Sequence, residues 1–140
     1  MKNWRSILLP VLCTALTLLI FRTVLILGYV PSESMEPTIH KNSFVLGLRP
    51  YGELKTGDII IFRHEGKLLV KRIAATEGET VMHDGEEVDV PDDCFYVLGD
   101  NAENSLDSRY WENPFVCRGD VVGKAMLVLR NSISNGNCKR

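Results

Sequence analysis

The run Ile7–Phe21, ILLPVLCTALTLLIF, carries no charge and presents no polar face. A helix through it is roughly 22 Å long, short against a hydrocarbon core of about 30 Å. Apolar character resumes beyond Arg22 as TVLILGYV. A helix apolar all round does not suit the surface of a soluble core. A cleaved leader would call for a small-residue A-x-A site after the run, and none follows Phe21. The pattern therefore predicts a single spanning helix from about Trp4 to Arg22 or a little beyond. Trp4 would sit at the inner interface, and Arg22 would snorkel to the outer headgroups. Lys2 and Arg5 precede the run, while all 18 acidic residues follow Ser32. That asymmetry puts the amino terminus in the cytoplasm and everything after about Arg22 outside. Pro10 is tolerable early in such a helix.

What remains is enough for one domain with a modest core. The expected division is 1–28 for the cytoplasmic end and anchor, and 29–140 for an extracytoplasmic domain. After Ile39 short apolar runs alternate with turn signals, which predicts a mainly β domain. The strand candidates are SFVLGL, GDIIIF, KLLVKRIAAT, TVMH and EEVDV around a D-G turn, CFYVLG and VVGKAMLVLR. The last ten residues, NSISNGNCKR, read as a frayed end. The polar stretch Asp100–Pro114 buries little and is long for a plain connection. The domain is acidic on balance and offers no basic face, which excludes nucleic acid as a partner. Cys13, Cys94, Cys117 and Cys138 form no C-x-x-C or Cys/His cluster, so no metal site and no cofactor are expected. A Cys94–Cys117 bridge is possible, but spacing alone does not assign it.

Tyr29–Ile39, YVPSESMEPTI, places two serines one residue apart directly beyond the apolar segment. A serine needs a proton acceptor to become a nucleophile at neutral pH. His40, His64 and His83 each read as exposed loop or strand residues, so a Ser-His-Asp triad has little support. A Ser-Lys pair is the alternative, and it needs a lysine in apolar surroundings where burial lowers the pKa. Lys71, inside KLLVKRIAA, is the candidate. Alternation alone also allows Lys71 and Arg72 to be solvent-facing strand residues.

Four segments together resemble one family. PSESMEPTI looks like the nucleophile box of bacterial type I signal peptidases, GDIIIF (Gly57–Phe62) like its next strand box, and VKRI (Val70–Ile73) like its lysine box. GDNAENSLDSRYW (Gly99–Trp111) is similar to its last box. They occur in the family's order, after one apolar anchor. The resemblance implies a coiled antiparallel β-sheet domain and a serine endopeptidase that removes signal peptides from secreted preproteins after small residues. It implies Ser34 as nucleophile, Lys71 as general base and Ser32 as an oxyanion-hole donor beside the backbone N–H of Ser34. Ser105 would orient the lysine amine, Asp107 and Arg109 would pair behind the site, and Asp100 and Asn101 would shape the same loop. Met35 would sit beside the nucleophile near the lipid. The implied partners are preprotein signal peptides, the lipid bilayer and a nearby secretion channel. The strand Thr23–Val30 and the nucleophile box would line shallow pockets.

The chain departs from the family at Glu33, at Ala74-Ala75-Thr76-Glu77, at Ala102 and at Glu112. None of these removes a catalytic atom. Only 27 residues separate Lys71 from Gly99, which implies a minimal version without the large insertion of some members. Three rivals remain: a self-cleaving repressor with Ser-Lys chemistry, a processing peptidase for a conjugation or pilin system, and a degenerate non-enzymatic relative. The apolar anchor and the lack of a basic helical region disfavour the first.

Overall fold

The computed structural model describes residues 4–49 and 51–129. Lys2, the tail after residue 130 and Cys138 lie outside the described residues. Helix α1, Trp4–Val24, contains a stretch, Ile7–Val24, that is long and apolar enough to cross a membrane. None of the stretch Ile7–Val24 is buried inside the rest of the structure. The backbone turns directly from helix into strand β1, Leu25–Val30, ahead of the 28/29 boundary.

The domain is mainly antiparallel sheet, as the pattern predicts. Eight further strands follow: β2 Ser43–Leu48, β3 Ile59–His64, β4 Lys67–Thr76, β5 Thr80–His83, β6 Glu86–Asp89, β7 Cys94–Leu98, β8 Phe115–Cys117 and β9 Val121–Leu129. Seven form one sheet in the order β1-β2-β9-β3-β4-β7-β8, and β5 pairs with β6 in a separate hairpin. Asp84 and Gly85 at that hairpin's tip both have positive φ, as a two-residue type I′ turn requires.

The sheet is packed on both faces. Ile60 and Phe62 enter one cluster with Ile73, Val97 and Trp111. Ile61 enters another with Ile26, Val30, Met35, Ile39 and Val45. A strand covered on both sides shows no period-2 alternation, which is why β3 reads as a plain apolar run.

The three-residue strand β8 was not expected, being too short for any periodicity to show. It exists because Phe115 and Val116 pair with Tyr96 and Phe95, and because Cys117 lies directly across from Cys94. A disulfide joins those two cysteines. The bond closes a loop of 23 residues, so removing it in Cys94→Ser is expected to cost about 3 kcal/mol. Urea unfolding of oxidised wild type against the variant measures this, and equal midpoints would refute it.

Candidate active site

Ser34 sits in the turn that follows β1. The next residue, Met35, is fully buried, and so is Ile39 one helical turn on. Ile39 N–H donates to the Met35 carbonyl at 2.8 Å, and Glu36 N–H to Glu33 at 3.1 Å. The two apolar side chains plug into the core and fix the serine between them. Met35 is thus packed in the core directly beside the serine, where an unbranched apolar side chain fills the gap. The Ser34 and Ser32 hydroxyls are 3.2 Å apart. The loop after β7 grips the same turn from above: Asn101 N–H donates to the Ser34 carbonyl at 3.0 Å, and Asn101 Nδ2 to Glu33 O at 3.1 Å.

Lys71 lies in β4 opposite Ile60. Its neighbours at the next inward positions, Ile73 and Ala75, are buried, and Lys71 itself is only 3% exposed. The solvent-facing alternative is therefore excluded: Lys71 is on the covered side of the strand, and both sides of this sheet are covered. Burial pushes its amine below the ordinary lysine range. The Asp107 carboxylate opposes this, the Arg109 charge adds to it, and Asp100 opposes it again.

The amine donates to Ser105 Oγ at 2.8 Å. Ser105 donates to Asp107 Oδ2 at 2.6 Å. Asp107 is 0% exposed and also accepts from Gly99 N–H at 2.9 Å and from Arg109 Nε and Nη2 at 2.8 Å each. Burial alone would raise its carboxyl pKa, but these donors outweigh burial and hold it at about 2. Every proton in the chain is therefore assigned. A hydroxyl has one proton, and that of Ser105 goes to a permanent carboxylate. Ser105 must accept from Lys71 and cannot donate to its lone pair. Among the described residues no hydrogen bond joins Ser34 to Lys71; both residues line one groove of about 540 Å³.

Two residues to which the sequence assigned no role hold this arrangement. Arg72 forms a fork with Asp100, Nε to Oδ1 at 2.8 Å and Nη2 to Oδ2 at 2.6 Å. It also donates to the Gly57 carbonyl at 2.8 Å and to Thr38 Oγ1 at 3.4 Å. It thus ties the lysine strand to the loops on both sides. Gly99 sits at the crossing. A Cβ there would fall inside Ser105 Oγ and 2.5 Å from the Ser34 carbonyl. Ser34, Ser105 and hence Lys71 can converge only because residue 99 has no side chain. Gly99→Ala is expected to separate them and to cut kcat at least tenfold, with unfolding showing that the domain persists. Unchanged kcat in a folded sample would remove Gly99 from the site. The sequence held a signal for both: a polar box opening on Gly, and a second cation beside the lysine.

The histidines correct the expectation of exposure, for all three are partly buried. His64 stacks on Trp111 with ring centroids 3.9 Å apart. It is four strand positions from the level of Lys71, about 13 Å, and so out of reach of the amine. His83 Nδ1 is buried without a hydrogen-bond partner. Among the described residues, no group of His, Cys, Asp and Glu side chains could hold a metal ion.

Comparison with known proteins gives the family. The profile of the family "Signal peptidase, peptidase S26" matches residues 1–90 and 84–130. "Signal peptidase I" of Leptolyngbya laminosa is 30% identical over 135 residues, covering 71% of this chain and 66% of that protein. "Signal peptidase I S" of Bacillus subtilis (strain 168) is 29% identical over 136 residues, covering 71% and 74%. "Inactive signal peptidase IA" of Staphylococcus aureus (strain N315) is 24% identical over 162 residues, covering 91% and 92%. The chain spans just under two thirds of the length of the first of these relatives. With the profile covering nearly the whole chain, it belongs to the signal peptidase family, peptidase S26.

Proposed function

We propose that this chain is a membrane-anchored serine endopeptidase that removes signal peptides from preproteins after small residues, with Ser34 as nucleophile and Lys71 as base. The observation that carries the reading is the buried Lys71 amine, held by a hydroxyl that can only accept from it. The free lone pair takes the Ser34 proton as Oγ attacks the scissile carbonyl. Ser32 Oγ and the Ser34 backbone N–H donate to the oxyanion, each worth about 3–4 kcal/mol in the transition state. The C–N bond then breaks, and Lys71 returns the proton to the leaving amine. In the second half Lys71 deprotonates water, which hydrolyses the Ser34 ester and frees the carboxyl product. Val30, Leu69 and Val70 line the same groove as the serine, an apolar wall that suits small apolar side chains next to the cleaved bond.

The domain faces the outside, and the amino terminus the cytoplasm. Lys2 and Arg5 before the helix favour that orientation, and a disulfide in the domain suits an oxidising compartment. A preprotein still held by its apolar segment then meets Ser34 just beyond the bilayer, near the secretion channel. Relatives from two Staphylococcus aureus strains are named inactive, so a non-enzymatic role is the second reading.

A single experiment tests function and orientation. Sealed right-side-out vesicles carrying the chain receive a peptide with an A-x-A site, and the new amino terminus is sequenced. Cleavage is expected without detergent. It is expected to rise with pH as Lys71 loses its proton, with a midpoint below the ordinary ~10.4. Cleavage only after detergent would reverse the orientation. No cleavage in either case would favour the inactive reading.

A further inference from the structure

Cys94 and Cys117 stand directly across from each other in β7 and β8, joined by the disulfide. The chain they enclose, Phe95–Val116, holds Gly99, Asp100, Asn101, Ser105, Asp107 and Arg109. Its contacts reach both Ser34 and Lys71. Asn101 N–H holds the Ser34 carbonyl, and Ser105 Oγ accepts from the Lys71 amine. What else closes this loop at its base is slight. β8 has three residues, lies at the sheet edge and pairs with β7 alone. Further along, Ser108 N–H donates to the Val97 carbonyl at 3.2 Å, and Val97 N–H to Ser108 Oγ at 3.0 Å. Just outside the bond, Arg118 N–H donates to the Asp93 carbonyl at 2.8 Å. The Arg118–Asp93 ion pair beside it has side chains 41% and 75% exposed, and such a pair contributes little. Short edge pairings of this kind open locally well before a whole domain unfolds.

We infer that the Cys94–Cys117 bond is a positioning clamp: it keeps Ser105 against Lys71 and Asn101 against Ser34, and its reduction by a dithiol lowers turnover without unfolding the domain. This rests on the peptidase reading above and deepens it with a redox control. The bond restricts excursions of β8, and with them the loop that β7 and β8 carry between them. Val30, Leu69 and Val70 line the groove from β1 and β4, outside the enclosed segment. Loosening the loop therefore disturbs the proton-handling groups more than the groove wall. Cys94 is buried and Cys117 exposed, so a reductant meets the bond from the Cys117 side. A thiolate of the dithiol attacks Cys117 Sγ, the S–S bond breaks, and Cys94 leaves as a thiolate that takes up a proton. The second thiol then displaces Cys117 from the mixed disulfide, and Cys117 takes up the other proton. The dithiol ends as its cyclic disulfide, and two electrons have passed to the cysteine pair.

The test compares the detergent-solubilised full chain oxidised, reduced with dithiothreitol, and as the double variant Cys94→Ala, Cys117→Ala. On a peptide with an A-x-A site, kcat is expected to fall at least about fivefold on reduction, with KM within about twofold. Reoxidation is expected to restore it. The double variant is expected to show the reduced value and to ignore dithiothreitol, which excludes an effect through Cys13 or Cys138. Hydrogen exchange gives a reading that needs no catalysis. The Gly99 N–H, bound to Asp107, and the Ser108 N–H, bound to Val97, are expected to exchange at least about tenfold faster on reduction. The amides of Ile61 and Phe62 in the central strand β3 are expected to keep their protection. If no peptide is cut in any state but Gly99 and Ser108 respond, the clamp stands and the peptidase reading falls. Equal kcat in the oxidised and reduced chain, a change in KM alone, or unchanged exchange at Gly99 and Ser108 would each overturn the clamp. Loss of protection throughout the sheet would overturn it too, by making the bond a support of the whole domain.

Discussion

Lys71→Met is expected to abolish cleavage, by on the order of 10⁴-fold or more in kcat, while leaving the domain no less stable at neutral pH. The two halves have one cause. The amine is buried, and burial holds its pKa below that of the unfolded chain. The unfolded state therefore binds the proton more tightly than the native state. Wild type carries the full penalty below the folded pKa and sheds it as pH rises toward about 10.4. Methionine fills similar space without charge, so its stability advantage is full below the folded pKa and fades as pH rises toward the unfolded one. Ser105 loses a donor but keeps its bond to Asp107. Urea midpoints at pH 7 and pH 10, with a peptide cleavage assay, check both halves. A clear loss of stability at pH 7 would mark Lys71 as a charged structural residue, and the Ser34–Lys71 assignment would fail with it.

Asp107→Ala is expected to cost about 3–5 kcal/mol, the largest stability loss of any single change considered. It strands the buried Gly99 N–H and Ser105 hydroxyl and leaves the partly exposed Arg109 guanidinium without its carboxylate. The same carboxylate gives wild type an acid-sensitive component. With its folded pKa held at about 2, below the unfolded ~3.9, its contribution is complete above that unfolded value. It is lost as pH falls through the folded one. The difference in urea midpoint between wild type and Asp107→Ala is therefore expected to shrink between about pH 4 and pH 2. Asp107→Asn, which keeps the shape, isolates the catalytic part. Ser105 is then no longer bound to a full negative charge and can turn its proton toward Lys71, so kcat is expected to fall with KM little changed. A pH-independent stability difference, or full activity in Asp107→Asn, would contradict this.

Local pattern determined much of this protein. The charge-free run before Arg22 demands a helix apolar on every side. The D-G turn at Asp84-Gly85 demands positive φ, and the apolar runs between turn signals demand strands. These are properties of neighbouring residues, and they are legible because period and turn chemistry act over a few positions. The four boxes carried the family and pointed to Ser34 and Lys71. Only tertiary structure decided whether Lys71 faces water or core. A strand's two faces look alike until its neighbours are known, and β3 and β4 are covered on both. The same holds for the proton order from Lys71 to Ser105 to Asp107. It depends on Gly99 letting two loops meet and on Arg109 closing around the carboxylate. Cys94 and Cys117 show the limit most simply: they pair because β8 lies beside β7, and a three-residue strand leaves no period to read. His64 and Trp111 are 47 positions apart in sequence. Their stacking exists only because a sheet edge and a polar loop fold onto the same groove.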